Sequence, residues 1–183
     1  TMYSRIAGTG GYLPRQVVSN FDLQARMETS DAWIRERTGI ERRHIAGAEE
    51  STVDMAEEAA RAAIAAAGLK PEDIDLIAFG TVTPDLIFPN SAVLLQARLG
   101  CKRGAPAFSM EAACSGFIYA LSVADKFIRA GGAKHALVVG AETLSRISFP
   151  TRHSEAQTST SAYTSSTAVA AAIAVDSLAR VTE

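Results

Sequence analysis

Three short apolar runs, each followed by helix-forming sequence, confine this chain to a narrow set of folds. Leu76-Ile77-Ala78-Phe79 is apolar throughout, Ala105 to Met110 nearly so, and His135 to Val139 carries Ala-Leu-Val-Val. A run with no polar alternation fits a strand covered on both faces, the habit of parallel sheets. Between the runs, Asn90 opens a helix that lasts to Leu99 and closes at Gly100. Cys114 to Ala130 reads as another helix, closed by Gly131-Gly132. Parallel strands need such crossovers, so the chain is of the α/β class with a mainly parallel sheet. Ligands in these sheets gather at the carboxyl ends of the strands. Cys114 stands there, just after a strand and at the start of a helix.

The N-terminal third adds shorter elements. Tyr3 to Leu13 reads as a strand ending in a glycine-rich turn at Gly8, Gly10 and Gly11. The spacing is not the dinucleotide-binding G-x-G-x-x-G, and Pro14 follows where a helix should open. Ser19 or Asn20 caps a short helix through Met27, and Ser30 caps a second, Asp31 to Arg37, stopped by Gly39. His44 reads as lying in a loop after Arg42-Arg43. Ser51 or Thr52 opens the clearest helix, through Ala67, with Gly68 beyond it. Its apolar face is Val53, Ala56, Ala60, Ala63, Ile64 and Ala67.

Charge and composition exclude several classes. With 20 acidic against 18 basic residues the net charge is −2, so electrostatic nucleic-acid binding is not expected. No apolar run reaches the roughly 20 residues of a membrane span, and no basic-then-apolar leader opens the sequence. Two cysteines are too few for a disulfide framework, which suits a reducing cytoplasm. One break in composition stands out. All 13 glycines lie at or before Gly140, and Thr151 to Thr167 is dominated by Ser and Thr. The composition therefore divides the chain into a main part over 1–147 and an atypical tail over 148–183, in which Thr167 to Leu178 reads as an Ala-rich helix.

The chemistry centres on Phe108-Ser-Met-Glu-Ala-Ala-Cys114-Ser-Gly-Phe117. A helix N-terminus carries partial positive charge, which favours a thiolate. The small residues Ala112, Ala113, Ser115 and Gly116 permit a tight strand-to-helix turn and the approach of a bulky substrate. The Cys114 N–H is placed to donate to an oxyanion. The alternative is a buried cysteine with no chemistry, the commoner fate of a lone Cys. Glu111, three residues earlier, would oppose a thiolate if it pointed inward.

Several separated motifs, in order, resemble those of β-ketoacyl-[acyl-carrier-protein] synthase III, a condensing-enzyme family of the thiolase superfamily. They are Ile6 to Pro14, Thr29-Ser-Asp-Ala-Trp33-Ile34, Arg37-Thr-Gly-Ile-Glu-Arg-Arg43, the Ala112-to-Gly116 cysteine segment, and Ala136 to Glu142. The resemblance runs from residue 2 to about 147 and covers the N-terminal half of a usual member. It implies a thiolase-like fold, with αβαβα layers in the whole enzyme. It implies that Cys114 is acylated by a short acyl-CoA primer and that malonyl-acyl-carrier protein then condenses with loss of CO₂. Trp33 and Arg37, with Thr29 nearby, match the positions that grip the adenine of CoA; their spacing puts both on one side of a helix. Phe88 matches a loop that crosses a homodimer to the partner's acyl pocket. No resident cofactor and no metal are implied, acyl-CoA being a substrate.

The same resemblance assigns the decarboxylation step to a His and an Asn of the C-terminal half, and it lacks its glycine-rich segment after Arg146. The expectation is a shortened or frame-shifted chain and an obligate oligomer. Two other readings stay open: a non-catalytic CoA-binding or dimerising fragment, and a related condensing enzyme with another primer. His44, His135 and His153 show no triad-like or metal-like spacing, and His135 reads as a surface cap to the third strand.

Overall fold

The three apolar runs form the parallel centre of a five-stranded sheet. The computed structural model describes residues 2–148 and 168–179. These divide into a first unit, residues 2–12, 52–142 and 170–179, and a second, residues 13–51 and 143–148 with 168 and 169.

In the first unit, strand β1 is Met2–Tyr12, followed much later by helix α3, Thr52–Ala66, and strand β4, Leu76–Gly80. Helix α4 (Ser91–Leu99), strand β5 (Ala107–Met110), helix α5 (Gly116–Arg129) and strand β6 (His135–Thr143) come next, and strand β7 is Ala168–Ala179. The sheet order is β1-β7-β6-β4-β5. β4 runs parallel to β5 and to β6, and β1 pairs with β7 antiparallel. All five residues of β4 are buried, as its lack of alternation predicts. Each fully buried Leu, Ile or Phe contributes about 1.5–3 kcal/mol. α5 lays Gly116, Ala120, Ala124 and Ile128 on Leu76, Ala78, Ala136 and Val138. α4 has the expected Asn90 cap, whose side chain accepts from the Val93 N–H at 3.1 Å, and ends at a left-handed Gly100.

Three expectations are corrected here. Gly8 and Gly10 do not form a turn; they lie inside β1. A Cβ on Gly8 would stand 2.4 Å from the Ala63 carbonyl oxygen, and one on Gly10 2.1 Å from that of Ala59. The glycines let the alanine face of α3 reach the strand backbone. Thr167 to Leu178 is not a helix: β7 occupies 168–179, with Tyr12 opposite Ala170 and Met2 opposite Ala179. Alanine favours a helix locally, but a free place beside β1 in the sheet overrides that preference. Thirdly, the strand read over His135 to Val139 is longer: β6 continues to Thr143.

The second unit holds a hairpin of β2, Gln16–Ser19, and β3, Arg42–Ile45, with helices α1, Asn20–Gln24, and α2, Asp31–Thr38, between them. A short helix α6, Leu144–Ser148, belongs to the same unit. Val18, Leu23 and Ile34 are its core, with Met27, Trp33, Ile40 and Ile45 packed around them. His44 therefore lies in a strand, not in a loop. The strand was hidden because its inward residue is Arg43, only 2% exposed. Ser19 caps α1 in a reciprocal box with Asp22, and Ser30 caps α2, which ends at Gly39 with φ 69°. Among the described residues no helix is long and apolar enough to cross a membrane.

Candidate active site

Cys114 sits on an elbow between β5 and α5. The strand ends at Met110, and a single 3₁₀ turn, Ala113–Ser115, leads into the helix at Gly116. Ala113 has φ 44°, in the left-handed region that a Cβ disfavours. Such strain persists where surrounding structure imposes it, and it clusters at functional sites. The Ser115 N–H closes the turn on the Ala112 carbonyl at 3.0 Å, and the Gly116 N–H on that of Ala113. The elbow leaves Cys114 exposed. Glu111 is also exposed and lies past the end of β5, so strand alternation does not turn it inward.

Two glycines to which the sequence reading gave no part in the site, Gly80 and Gly140, seat this elbow. Gly80 and Gly140 end the apolar runs of β4 and β6 and pair in register. A Cβ on Gly80 would lie 2.9 Å from the Phe117 nitrogen, and one on Gly140 would lie 3.1 Å from Phe117 Cδ2. The first turn of α5 thus rests directly on the ends of two parallel strands. The available signal was a glycine at the carboxyl end of two apolar runs. A side chain at Gly80 would push on the main chain at the start of α5, and one at Gly140 would crowd the Phe117 side chain.

The other cysteine is different. Cys101 is buried, and burial pushes its thiol up to about 11, with the nearby Glu72 carboxylate adding to the effect. It is the inert, packed cysteine that Cys114 is not.

The loop after β4 is held at its base and exposed at its tip. Glu142 on β6 accepts from the Val82 N–H at 3.0 Å and from the Thr83 hydroxyl at 2.6 Å. Asp85 accepts from the Thr52 and Val53 N–H groups, both at 2.8 Å, and so caps α3 from a distant loop. The sequence reading gave that cap to Ser51 or Thr52. Beyond Asp85, Ile87 is 96% exposed and Phe88 is 88% exposed, with Leu86 half exposed beside them. Phe88 therefore has almost no packing against the described residues.

Trp33, Arg37 and Thr29 fall in the second unit, whereas Cys114 and Phe88 belong to the first. The Arg37 guanidinium lies over the Trp33 ring, 4.5 Å from its centroid. One face of the indole thus meets a cation, an arrangement worth about 0.5–1 kcal/mol at an exposed site. Glu28, Thr29, Ser30 and Trp33 line a shallow cavity of about 390 Å³. The Thr29 hydroxyl is buried and has no hydrogen-bond partner among the described residues. A planar aromatic base that stacks on indole and accepts a hydrogen bond suits these groups.

The histidines stand apart from the elbow. His44 lies on β3 with Nδ1 2.5 Å from the Pro14 carbonyl. His135 is half-buried at the start of β6, with Nδ1 3.1 Å from an Asp176 oxygen but without hydrogen-bond geometry to it. His153 lies outside the described residues. Among the described residues no group of three His, Cys, Asp or Glu side chains is placed to hold a metal ion.

Comparison with known proteins places this geometry. A family model described as 3-oxoacyl-[acyl-carrier-protein (ACP)] synthase III matches residues 108–177, which takes in the elbow, α5, β6 and most of β7. A β-ketoacyl-[acyl-carrier-protein] synthase III of Thiobacillus denitrificans is 59% identical over 145 residues, 79% of this chain and 46% of that protein. One from Methylococcus capsulatus is 62% identical over 144 residues, 79% of this chain and 44% of its own length. The crystal structure of 3-oxoacyl-[acyl-carrier-protein] synthase III from Aquifex aeolicus superposes with a TM-score of 0.84 at 45% identity, covering 94% of this chain and 53% of that one. The enzyme from Pseudomonas aeruginosa gives a TM-score of 0.86 at 38% identity, covering 99% and 53%. The fold is thiolase-like. The chain spans about half the length of the relatives it matches and corresponds to their N-terminal portion.

Proposed function

We propose that this chain carries the N-terminal half of a 3-oxoacyl-[acyl-carrier-protein] synthase III, with Cys114 as the residue that takes up the acyl group. The observation that carries the reading is the exposed thiol on a strained elbow, at the carboxyl ends of parallel strands, in a chain about 60% identical to such enzymes.

The chemistry balances in two steps. The Cys114 thiolate attacks the carbonyl of an acyl-CoA thioester; the C–S bond to CoA breaks, and CoA leaves as a thiol after taking up a proton. Malonyl-acyl-carrier protein then loses CO₂. The electron pair freed from that C–C bond forms a new C–C bond to the acyl carbonyl, and the Cys114 thiolate leaves. Covalent storage divides one difficult encounter into two easier ones. Trp33, Arg37 and Thr29 hold the adenine of CoA, with Arg37 sharing the indole face or reaching a phosphate. The exposed Leu86-Ile87-Phe88 tip is the contact to a second copy, so the working protein is a homodimer. The reaction belongs to the cytoplasm and needs no resident cofactor.

The test is intact-mass analysis after incubation with acetyl-CoA. One acetyl group on the wild-type chain and none on Cys114→Ala supports the reading. A folded wild-type chain that gains no adduct overturns the acyl-transfer step. If that chain still binds CoA through Trp33, the binding-fragment alternative replaces it.

A further inference from the structure

Asn20 is fully buried, and its side chain fastens both ends of α2. Its Nδ2 donates at 2.8 Å to Asp31 Oδ1, the first residue of the helix, and at 2.8 Å to the Ile40 carbonyl, just beyond its end. Its Oδ1 accepts from Arg43 Nη2 at 2.6 Å. Arg43 is itself buried and donates through Nη1 to the Val18 carbonyl at 3.2 Å. Asp31 is also held by Arg35, at 2.8 Å, so the start of the helix is fixed from two sides.

The carboxamide of asparagine has two N–H donors and one carbonyl, and here each is used. No other residue of this size supplies that pattern. An aspartate would keep the Arg43 contact but set oxygen against Asp31 and against the Ile40 carbonyl. A leucine would take one partner from the buried Arg43 and the Nδ2 donor from both the part-buried Asp31 and the Ile40 carbonyl.

α2 is the helix that carries Trp33 and Arg37, and Thr29 stands just before it. We propose that Asn20 is the positioning residue of the adenine grip, setting the height and rotation of α2 so that the Trp33 face and the Thr29 hydroxyl meet a purine. The proposal rests on the CoA-binding reading for its ligand, and on the hydrogen-bond pattern alone for its geometry.

The sequence contains one tryptophan, so Trp33 fluorescence reports on this helix directly. The experiment titrates CoA into the full chain and into Asn20→Asp, following Trp33 quenching. Emission maximum and acrylamide quenching are recorded without CoA, and Cys114 alkylation reports independently on the first unit. Asn20→Asp is expected to weaken CoA binding about tenfold, the worth of one lost net hydrogen bond. It should shift Trp33 emission to the red while Cys114 alkylation stays within about twofold of wild type. Adding Asp31→Asn restores a donor between positions 20 and 31 and should recover part of the binding, which a general loss of stability would not allow. Wild-type affinity and emission in Asn20→Asp overturn the proposal, as does a double variant no better than the single one. A wild-type chain that does not bind CoA overturns the CoA reading instead; the emission of Asn20→Asp then still decides whether Asn20 sets α2.

Discussion

Gly80 lies backbone to backbone against Gly116: a Cβ built on Gly80 would stand 2.7 Å from the Gly116 carbonyl carbon. The neighbour is main chain at the start of α5, so it cannot swing aside as a side-chain tip would. Gly80→Ala must push the elbow away from β4. Overpacking of this kind costs about 1–3 kcal/mol. The expected result is a lower melting temperature together with slower acetylation of Cys114. Wild-type acetylation in Gly80→Ala would mean that the elbow does not depend on this contact.

The two cysteines should separate cleanly by reactivity. Cys101 is 7% exposed and its thiol is pushed up to about 11, whereas Cys114 is exposed. At about pH 8 roughly one Cys101 in a thousand is thiolate, and the packing shields even that fraction. Limiting iodoacetamide on the folded chain should therefore modify a single cysteine, which peptide mapping assigns to Cys114. Cys101 should react only after denaturant is added. Equal labelling of both in the native state would contradict this.

Asp85 should prove to be a stabilising cap despite its place in an exposed loop. It supplies the acceptors that the first turn of α3 lacks, through two 2.8 Å bonds. Asp85→Ala is expected to cost about 0.5–2 kcal/mol, the usual worth of an N-cap. That corresponds to a fall of a few degrees in melting temperature, at about 2–4 °C per kcal/mol for a chain of this size. Asp85→Asn keeps one acceptor and should fall between the two. An unchanged melting temperature in Asp85→Ala would remove the capping role.

What was legible in the sequence follows the range of each interaction. β4, α4, α5 and the elbow at Cys114 could be read directly, because an apolar run and a local cap suffice to specify them. The glycines of β1 could not. Within their own neighbourhood they look like a turn, and the cause of their presence is the backbone of α3, far along the chain. β3 was missed because Arg43 occupies its inward position, bonded to Val18 and Asn20, so no hydrophobic period appears. β7 was misread because alanine speaks for a helix, while the strand β1 that recruits it lies at the other end of the sequence. The same reason hides the site's support. Cys114 was visible as a residue type at a helix start, but the pairing of Gly80 with Gly140 beneath it exists only once β4 and β6 are aligned.

Acid should loosen α2. Hydrogen bonding from Asn20, and then from Arg35, holds the Asp31 carboxyl below its ordinary value of 3.8. A carboxyl with a lowered value in the folded chain stabilises it fully above the ordinary range. That contribution fades as pH falls from there through the folded value. Below about pH 4, then, Asp31 increasingly takes up a proton and loosens its hold on Asn20 and Arg35. Trp33, in the same helix, should report this as a red shift and stronger acrylamide quenching in the acid range. Asp22 titrates in the same direction through its bond to Ser19, but it acts on α1. Asp31→Asn has no carboxyl to titrate, so its Trp33 emission should change much less over the same range. A wild-type emission that is flat from about pH 6 to pH 2.5, or an Asp31→Asn curve that matches wild type, would show that this carboxylate does not govern the helix.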